Sequence, residues 1–409
     1  MSDHGDADAF CRLACLAYSA DDLARRARAR GLLADNRDLT RGHIWAAAAA
    51  SDVAEVQRLV ADDPSLTTER GGPHRWAPLF YLAYSRLDLD VPAEHVLTIA
   101  RLLLDAGADP NESYLWDGQS PGFTVLTGVF GEGELGPERQ PRHPCSLELA
   151  RLLLDAGADP NDSQALYNRM FGPDNDHLEL LFEYGLGSHD GHRSQGRREQ
   201  RGEPPAELLR DQLRWAVEHD FADRVQLLVD HGVDVHEPYD DGRTAAELAK
   251  LSGNVAIAVY LEDAGARPPE LDPLDELIAA VMRADRSAVD RLLADHPTVV
   301  EDARSARPGI IVWAAATGRT EVVALLAQLG FDVNARGRGD APAEGPCDWE
   351  TALHQAALHG HLDVARLLIS LGADPNSRDT RFNATPLGWA RHESQEALAE
   401  LLVPITDDG

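Results

Sequence analysis

Lysine is nearly absent from this 409-residue chain: Lys250 stands alone, and 38 basic residues face 69 aspartates and glutamates, for a formal net charge of -31. Nucleic-acid binding needs clustered Lys and Arg, so DNA, RNA and anionic membranes are not expected partners. The single lysine lies inside a repeat, and no Gly-Lys-Ser or Gly-Lys-Thr phosphate loop is present. A Gly-x-Ser-x-Gly elbow, a His-Glu-x-x-His helix and a dinucleotide fingerprint are missing too. The one Gly-rich run of note, GEGELG at Gly131, is acidic and would oppose a phosphate. Cysteine is scarce: of Cys11, Cys15, Cys145 and Cys347, only the first two are close. Four apart, they share a helix face, but a zinc site needs further thiolates or imidazoles. No metal and no cofactor is expected. No apolar run approaches the ~20 residues of a membrane span. The opening MSDHGDADAF has neither the basic segment nor the apolar run of a secretory signal, so a reduced, cytoplasmic setting is expected. Arginine in place of lysine, with abundant Ala, Asp and Gly, resembles the coding bias of a high-GC bacterium such as an actinomycete, or of a salt-adapted source.

What the chain has in quantity is itself. ARLLLDAGADPN runs from Ala100 to Asn111 and again, unchanged, from Ala150 to Asn161; ARLLISLGADPN follows from Ala365 to Asn376. Leu102, Leu103 and Leu104, after Ile99 and Ala100, give the apolar stripe of a helix. Gly107 is suited to the left-handed conformation that ends one, and Asp109, Pro110 and Asn111 turn the chain. The partner helix lies upstream, most clearly in TALHQAALHGHLDVARLLISLGADPN from Thr351: Thr351 caps it, Leu353, Ala356 and Ala357 supply a small apolar face, and Gly360 breaks it. Two short antiparallel helices cannot bury their faces alone, so neighbouring pairs must stack.

TALHQAA at Thr351 and TPLGWA at Thr385 resemble the T-P-L-H-x-A signature of the ankyrin repeat, a unit of about 33 residues. DDGRTAAELAKLSGN from Asp240 keeps the turn, the capping Thr244 and the closing Gly253, and weaker units fit the same frame from Ile44, Ala77, Gly122, Leu213, Leu277 and Ile311. The resemblance implies an all-α solenoid of about nine to ten helix pairs with insertions in its N-terminal half. The expected divisions are an N-terminal helical cap (1–40), irregular repeats with insertions (41–190), a flexible loop (191–205), regular repeats (206–380) and a C-terminal capping repeat (381–409). The arginines at Arg25, Arg26, Arg28 and Arg30 read as the solvated face of the cap.

Departures from the repeat carry more about function than the repeat does. Extra residues follow Leu87 and Glu134, and a longer stretch runs from Gly185 to Pro205. The turns between units, the fingers, are aromatic in the same region: His74, Arg75 and Trp76; Tyr114, Trp116, Asp117 and Phe123; His236 and Tyr239. In ankyrin repeats the fingers and the exposed end of each first helix line a groove, which implies that Tyr84, Ser85, Glu132, Glu218, His219, Met282, Arg283, Leu358, His359 and His392 face it. Aromatics with a polar tip are favoured contact residues. Trp45, Trp215, Trp313 and Trp389 fall at core positions and read as packing, and His354, the histidine of the signature, as a turn-organising residue.

Two readings follow. One is a non-catalytic scaffold whose acidic, aromatic-lined groove recognises a protein partner, basic by charge complementarity. The other is a cofactor-free enzyme or small-molecule binder for an apolar substrate. In it His74, Tyr84, Tyr114, Asp117, Glu132 and His219 would perform acid-base dehydration, conjugate addition or cyclisation, in bacterial secondary metabolism. The second requires the insertions to close a pocket. Exposed aromatics would also suit a homodimer surface.

Overall fold

A computed structural model describes residues 3–18, 23–87, 92–118, 120–188, 205–338 and 349–407. The chain separates into two compact units, Met1–Gln212 and Leu213–Gly409. In the first, helices Asp3–Ala14 and Leu23–Asp35 pack together, and Asp3–Ala14 packs against Ile44–Ala49. From there Ile44–Ala49, Pro78–Tyr84, Val125–Phe130 and Ser163–Met170 lie side by side as a first layer. Val53–Asp62, Ala93–Asp105, Ser146–Asp155 and Asp176–Glu183 form a second. In the second unit, Ala245–Leu251, Pro273–Met282, Ile310–Ala316, Ala352–Leu358 and Pro386–His392 are first helices of pairs, with Val255–Asp263, Arg286–Asp295, Thr320–Gln328, Leu362–Ser370 and Glu396–Leu402 as their partners.

The fold is mostly helical rather than purely so: a two-stranded antiparallel sheet pairs Ser113–Tyr114 with Phe123–Thr124. The helix Pro205–Glu218 begins at the last residue of the stretch expected to be a loop, whose remainder lies outside the described residues, as do the residues 88–91 of the insertion after Leu87 and Cys347. A further helix, Val299–Ala306, stands between Arg286–Asp295 and Ile310–Ala316 and packs on Pro273–Met282. It is an irregularity of the second unit that the sequence reading did not anticipate.

The repeated twelve residues close each second-layer helix in one way. Gly107, Gly157 and Gly372 are left-handed, and the alanine after each donates its N–H back to a buried leucine carbonyl: Ala108 to Leu103 at 3.0 Å, Ala158 to Leu153 at 2.9 Å, Ala373 to Leu368 at 2.9 Å. This is the six-to-one bond of a Schellman stop, which satisfies carbonyls the helix leaves open. The terminal asparagine has a second task. Asn111 donates from Nδ2 to the Gly157 carbonyl (2.8 Å) and accepts from the Asp159 N–H (2.8 Å), hooking its turn to the next. Asn334 does the same with Gly372 (3.2 Å) and Asp374 (2.8 Å), Asn161 accepts from Gly187 (2.9 Å), and Asn376 from Asp407 (2.8 Å). Asn111→Ala removes two bonds between neighbouring turns and is expected to lower stability by about 1–2 kcal/mol, read as a shift of the urea midpoint at unchanged slope; no shift would mean that stacking alone sets the register.

Candidate interaction surfaces

In the first unit the aromatic fingers fold down onto the helices. Trp76 is buried, with its ring centre 4.3 Å from His74, 5.0 Å from Tyr84 and 4.9 Å from Tyr114; Tyr114 is 5.7 Å from Phe123, and Phe123 is 4.7 Å from Tyr18. The predicted lining of a pocket therefore fills its own space. Tyr84, placed in the groove by resemblance, is fully buried, and its hydroxyl donates to the Thr124 carbonyl at 2.8 Å. Room for it comes from Gly128, where an added Cβ would stand 2.0 Å from the Tyr84 ring. Burial, with Tyr114 and Tyr18 beside it, raises the Tyr84 phenol well above its ordinary pKa, which removes it as a base near neutrality. Burial, then Arg12 and Arg25, lowers His74 to about 4. Ser85, also expected in the groove, is buried and donates to the Ala49 carbonyl at 2.7 Å.

Glu132 is a buried anchor rather than a free carboxylate. Its Oε1 receives Arg169 Nη1 at 2.6 Å and Arg142 Nε at 2.6 Å. The same two arginines hold Asp176 at 2.8 and 2.6 Å, and Arg142 holds Asp174 at 2.6 Å. Against the cost of burial, the Asp176 N–H and Arg142 keep Asp174 below its usual pKa. The insertion after Glu134 is tied down nearby: the Glu132 N–H donates to Gln140 O (2.7 Å), and buried Arg86 donates from Nε to Pro141 O (2.6 Å) and from Nη1 to Ala83 O (3.1 Å) and Ser85 O (2.9 Å). Of the acid-base candidates, His74, Tyr84 and Tyr114 come together as packing. Asp117 is an exposed turn residue with φ 50°, Glu132 is ion-paired, and His219 belongs to the second unit. Beside the exposed Asp117, the Ser113–Thr124 hairpin leaves two apolar side chains to solvent: Leu115 is 48% exposed and Trp116 38%.

In the second unit, Glu218 is buried and paired with Arg214 (2.9 Å), Met282 is buried, Leu358 is half-buried, and Tyr239 is half-buried beneath the Arg214 guanidinium at 5.1 Å. Burial takes Glu218 and Met282 out of the groove-lining set. His219, Arg283, His359 and His392 are exposed. Each first helix here ends at a left-handed residue, among them Asp220, Gly253, Ala284, Gly318, Gly360 and Ser394. Glycine is required where the next pair crowds it: a Cβ on Gly253 would lie 2.5 Å from the Met282 carbonyl, and on Gly318 2.8 Å from the His361 ring.

The residue following that position was missed as a class. Asn254 donates to Val217 O (2.7 Å), Arg319 to Ser252 O (2.6 Å) and Met282 O (3.2 Å), and Gln395 to Leu358 O (3.5 Å), while His361 Nε2 lies 3.0 Å from Ala316 O. All reach back to the open carbonyls of an earlier helix end. The signal was available: Asn254, Arg319, His361 and Gln395 each stand three places after the last residue of a first helix. His354 bridges Thr351 Oγ1 (2.8 Å) and Ala384 O (3.1 Å), organising its turn.

The last finger is organised around one carboxylate. Buried Asp379 accepts at Oδ1 from the Arg381 N–H (2.9 Å) and the Phe382 N–H (2.5 Å), and at Oδ2 from the Ala384 N–H (2.9 Å) and Trp389 Nε1 (3.0 Å). Around that carboxylate the loop holds Phe382 outward, 63% exposed, with Trp349 5.6 Å away and Arg381 over both rings. Among the described residues no helix is long and apolar enough to cross a membrane, and no group of three or more His, Cys, Asp or Glu is placed to hold a metal ion.

The family model described as ankyrin repeats in three copies matches residues 277–379 and 343–408. Among curated proteins, the chain is 30% identical over 178 residues to ankyrin repeat and KH domain-containing protein mask-1 of Caenorhabditis elegans, which is 43% of this chain and 6% of that protein. It is 43% identical over 56 residues to the NF-kappa-B inhibitor cactus of Drosophila melanogaster, 14% of this chain and 11% of that one. It is 27% identical over 194 residues to an L-asparaginase of Dirofilaria immitis, 47% of this chain and 30% of the relative. The chain thus spans less than a third of the length of these relatives, and their names share no one activity.

Proposed function

Since residues 277–408 carry ankyrin repeats, we propose that this chain is a protein-recognition scaffold whose fingers supply apolar anchors. The supporting observation is Phe382, exposed on a loop that Asp379 holds through four bonds. Holding a large apolar ring in water contributes nothing to the core, whereas a loop tied in place by hydrogen bonds lowers the ordering cost of a contact on binding. Leu115 and Trp116 play the same part on the first unit's hairpin. The net charge of -31 favours basic partners in encounter over roughly a Debye length, about 10 Å at 0.1 M salt; local side chains decide the contact itself.

The test is affinity capture by the full chain, comparing wild type with Phe382→Ala and Trp116→Ala. Both variants should keep the wild-type melting temperature, because neither ring is enclosed. A stoichiometric partner held by wild type should be lost by at least about tenfold in one of them, as for an aromatic anchor. A partner retained equally by both variants would move recognition away from the fingers.

A further inference from the structure

The helix Val255–Asp263 of the second unit is apolar on its solvent side as well as on its core side. Ile257, Ala258 and Leu261 are buried, while Val255 is 52% and Val259 53% exposed, with Ala256 exposed beside them. The six-to-one bond that ends a second helix sets a common register: Ala266 donates to Leu261 at 2.8 Å, as Val233 does to Leu228 at 3.1 Å and Phe331 to Leu326 at 3.1 Å. Two places before that leucine, the other helices closed in this way carry Arg101, Arg151, Gln226, Ala324 and Arg366; here the residue is Val259. Five places before it they carry Thr98, Glu148, Asp223, Glu321 and Asp363; here it is Ala256. Valine is also a weaker helix former than arginine or glutamine, so neither packing nor propensity accounts for the exposed pair. A four-residue step is about 6 Å along a helix, which makes Val255 and Val259 one continuous strip.

We infer that this strip is a docking face for a basic amphipathic helix, which sets its aliphatic side chains on the two valines and its Lys or Arg heads on the carboxylates beside them. The inference rests on the scaffold reading and adds to it a surface apart from the fingers, with the chemistry of its partner. Charge complementarity selects the occupant. Asp263 continues the strip one turn beyond Val259, and the helix Ala222–Asp230 packs alongside with Asp223 and Asp230 exposed. Tyr260 ties the two helices together by donating to Asp230 Oδ1 at 3.4 Å. Among the described residues, none of these three carboxylates is paired with a cation. The cations on or against the two helices are engaged elsewhere: buried Arg224 lies over the Phe221 ring at 5.3 Å, and Lys250 pairs with Glu262 at 2.7 Å. Arg267, beyond the helix end, pairs with Glu270 at 3.6 Å. A second copy docked face to face would set the same aspartates against each other, and an acidic segment would meet like charge.

The experiment uses the full chain and two fluorescein-labelled helical peptides, LKKLLKLLKKLLKL and its counterpart with glutamate for lysine, read by anisotropy. The lysine peptide should bind, more weakly as salt rises, and the glutamate peptide should not. Val255→Gln with Val259→Gln should cost the lysine peptide about tenfold or more. The melting temperature of that double variant should be no lower than wild type, because both side chains already meet water and glutamine is the better helix former. Asp230→Asn with Asp263→Asn should cost about threefold or more. No binding of the lysine peptide, or binding that the glutamine pair leaves unchanged, overturns the inference, the latter because it reports only the acidity of the whole chain. Equal or tighter binding of the glutamate peptide overturns it as well. So does a dimer of the protein alone, seen by light scattering and dissolved by the glutamine pair, which would make a second copy the occupant. A melting temperature lowered by that pair would assign the valines to the fold instead. The scaffold reading itself stands or falls on the Phe382 and Trp116 capture, whose variants leave these valines in place.

Discussion

Replacing Arg169 by alanine should cost the first unit about 3–5 kcal/mol, the largest effect expected of any single change in it. Arg169 is almost wholly buried and joins Glu132 at 2.6 Å to Asp176 at 2.8 Å. Without it, Glu132 keeps only Arg142 in a site that water scarcely reaches, and an under-compensated buried charge is costlier than the pair was beneficial. The neutral pair Glu132→Gln with Arg169→Met should therefore recover a sizeable part of the loss, since it removes both charges together. Urea denaturation of the three proteins decides the matter. A loss under about 1 kcal/mol for Arg169→Ala is what an exposed pair would give, and would show that the network adds little.

Acidification should weaken the same unit through His143. The ring is buried; its Nδ1 accepts from the Cys145 N–H at 3.0 Å, and the main-chain N–H donates to Val129 O at 3.1 Å. Burial, then the cation of Arg86, lowers it from 6.5 to about 3. A histidine depressed in the folded state gives its full stability above the unfolded value. The unfolded chain takes up the proton first as pH falls, so stability is lost between about 6.5 and 3 at up to about 1.4 kcal/mol per pH unit. Between pH 6.5 and 4.5 the decline should reach about 2–3 kcal/mol. His143→Gln should start lower at pH 7 and fall less steeply; His74, lowered to about 4 with the same sign, contributes to the slope that persists. Equal slopes in wild type and variant would rule His143 out as the titrating group.

Much of the architecture was legible because its determinants are local. The stripe of Leu102, Leu103 and Leu104, the left-handed glycine after it, and capping threonines such as Thr244, which accepts from Glu247 at 3.3 Å, act within a few residues of one another. The helix Val299–Ala306 escaped notice because a short amphipathic segment between two pairs looks like part of a connection. The candidate site was less legible. Resemblance placed Tyr84, Ser85, Glu132, Glu218 and Met282 in the groove by their positions at helix ends, and all five are buried. Their neighbours are remote: Gly128 makes room for Tyr84, and Arg169 binds Glu132.

By itself, then, the sequence determined where the helices run and stop, that pairs must stack, and which residues cap them, since propensity, period and turn geometry act within a few residues. Tertiary structure decided which polar and aromatic side chains remain free. Whether a tyrosine faces a ligand or a glycine 44 positions later, or an asparagine faces solvent or the next turn, depends on what stacking brings beside it. The same condition folds the second unit's Glu218 and Glu350 away against Arg214 and Arg338.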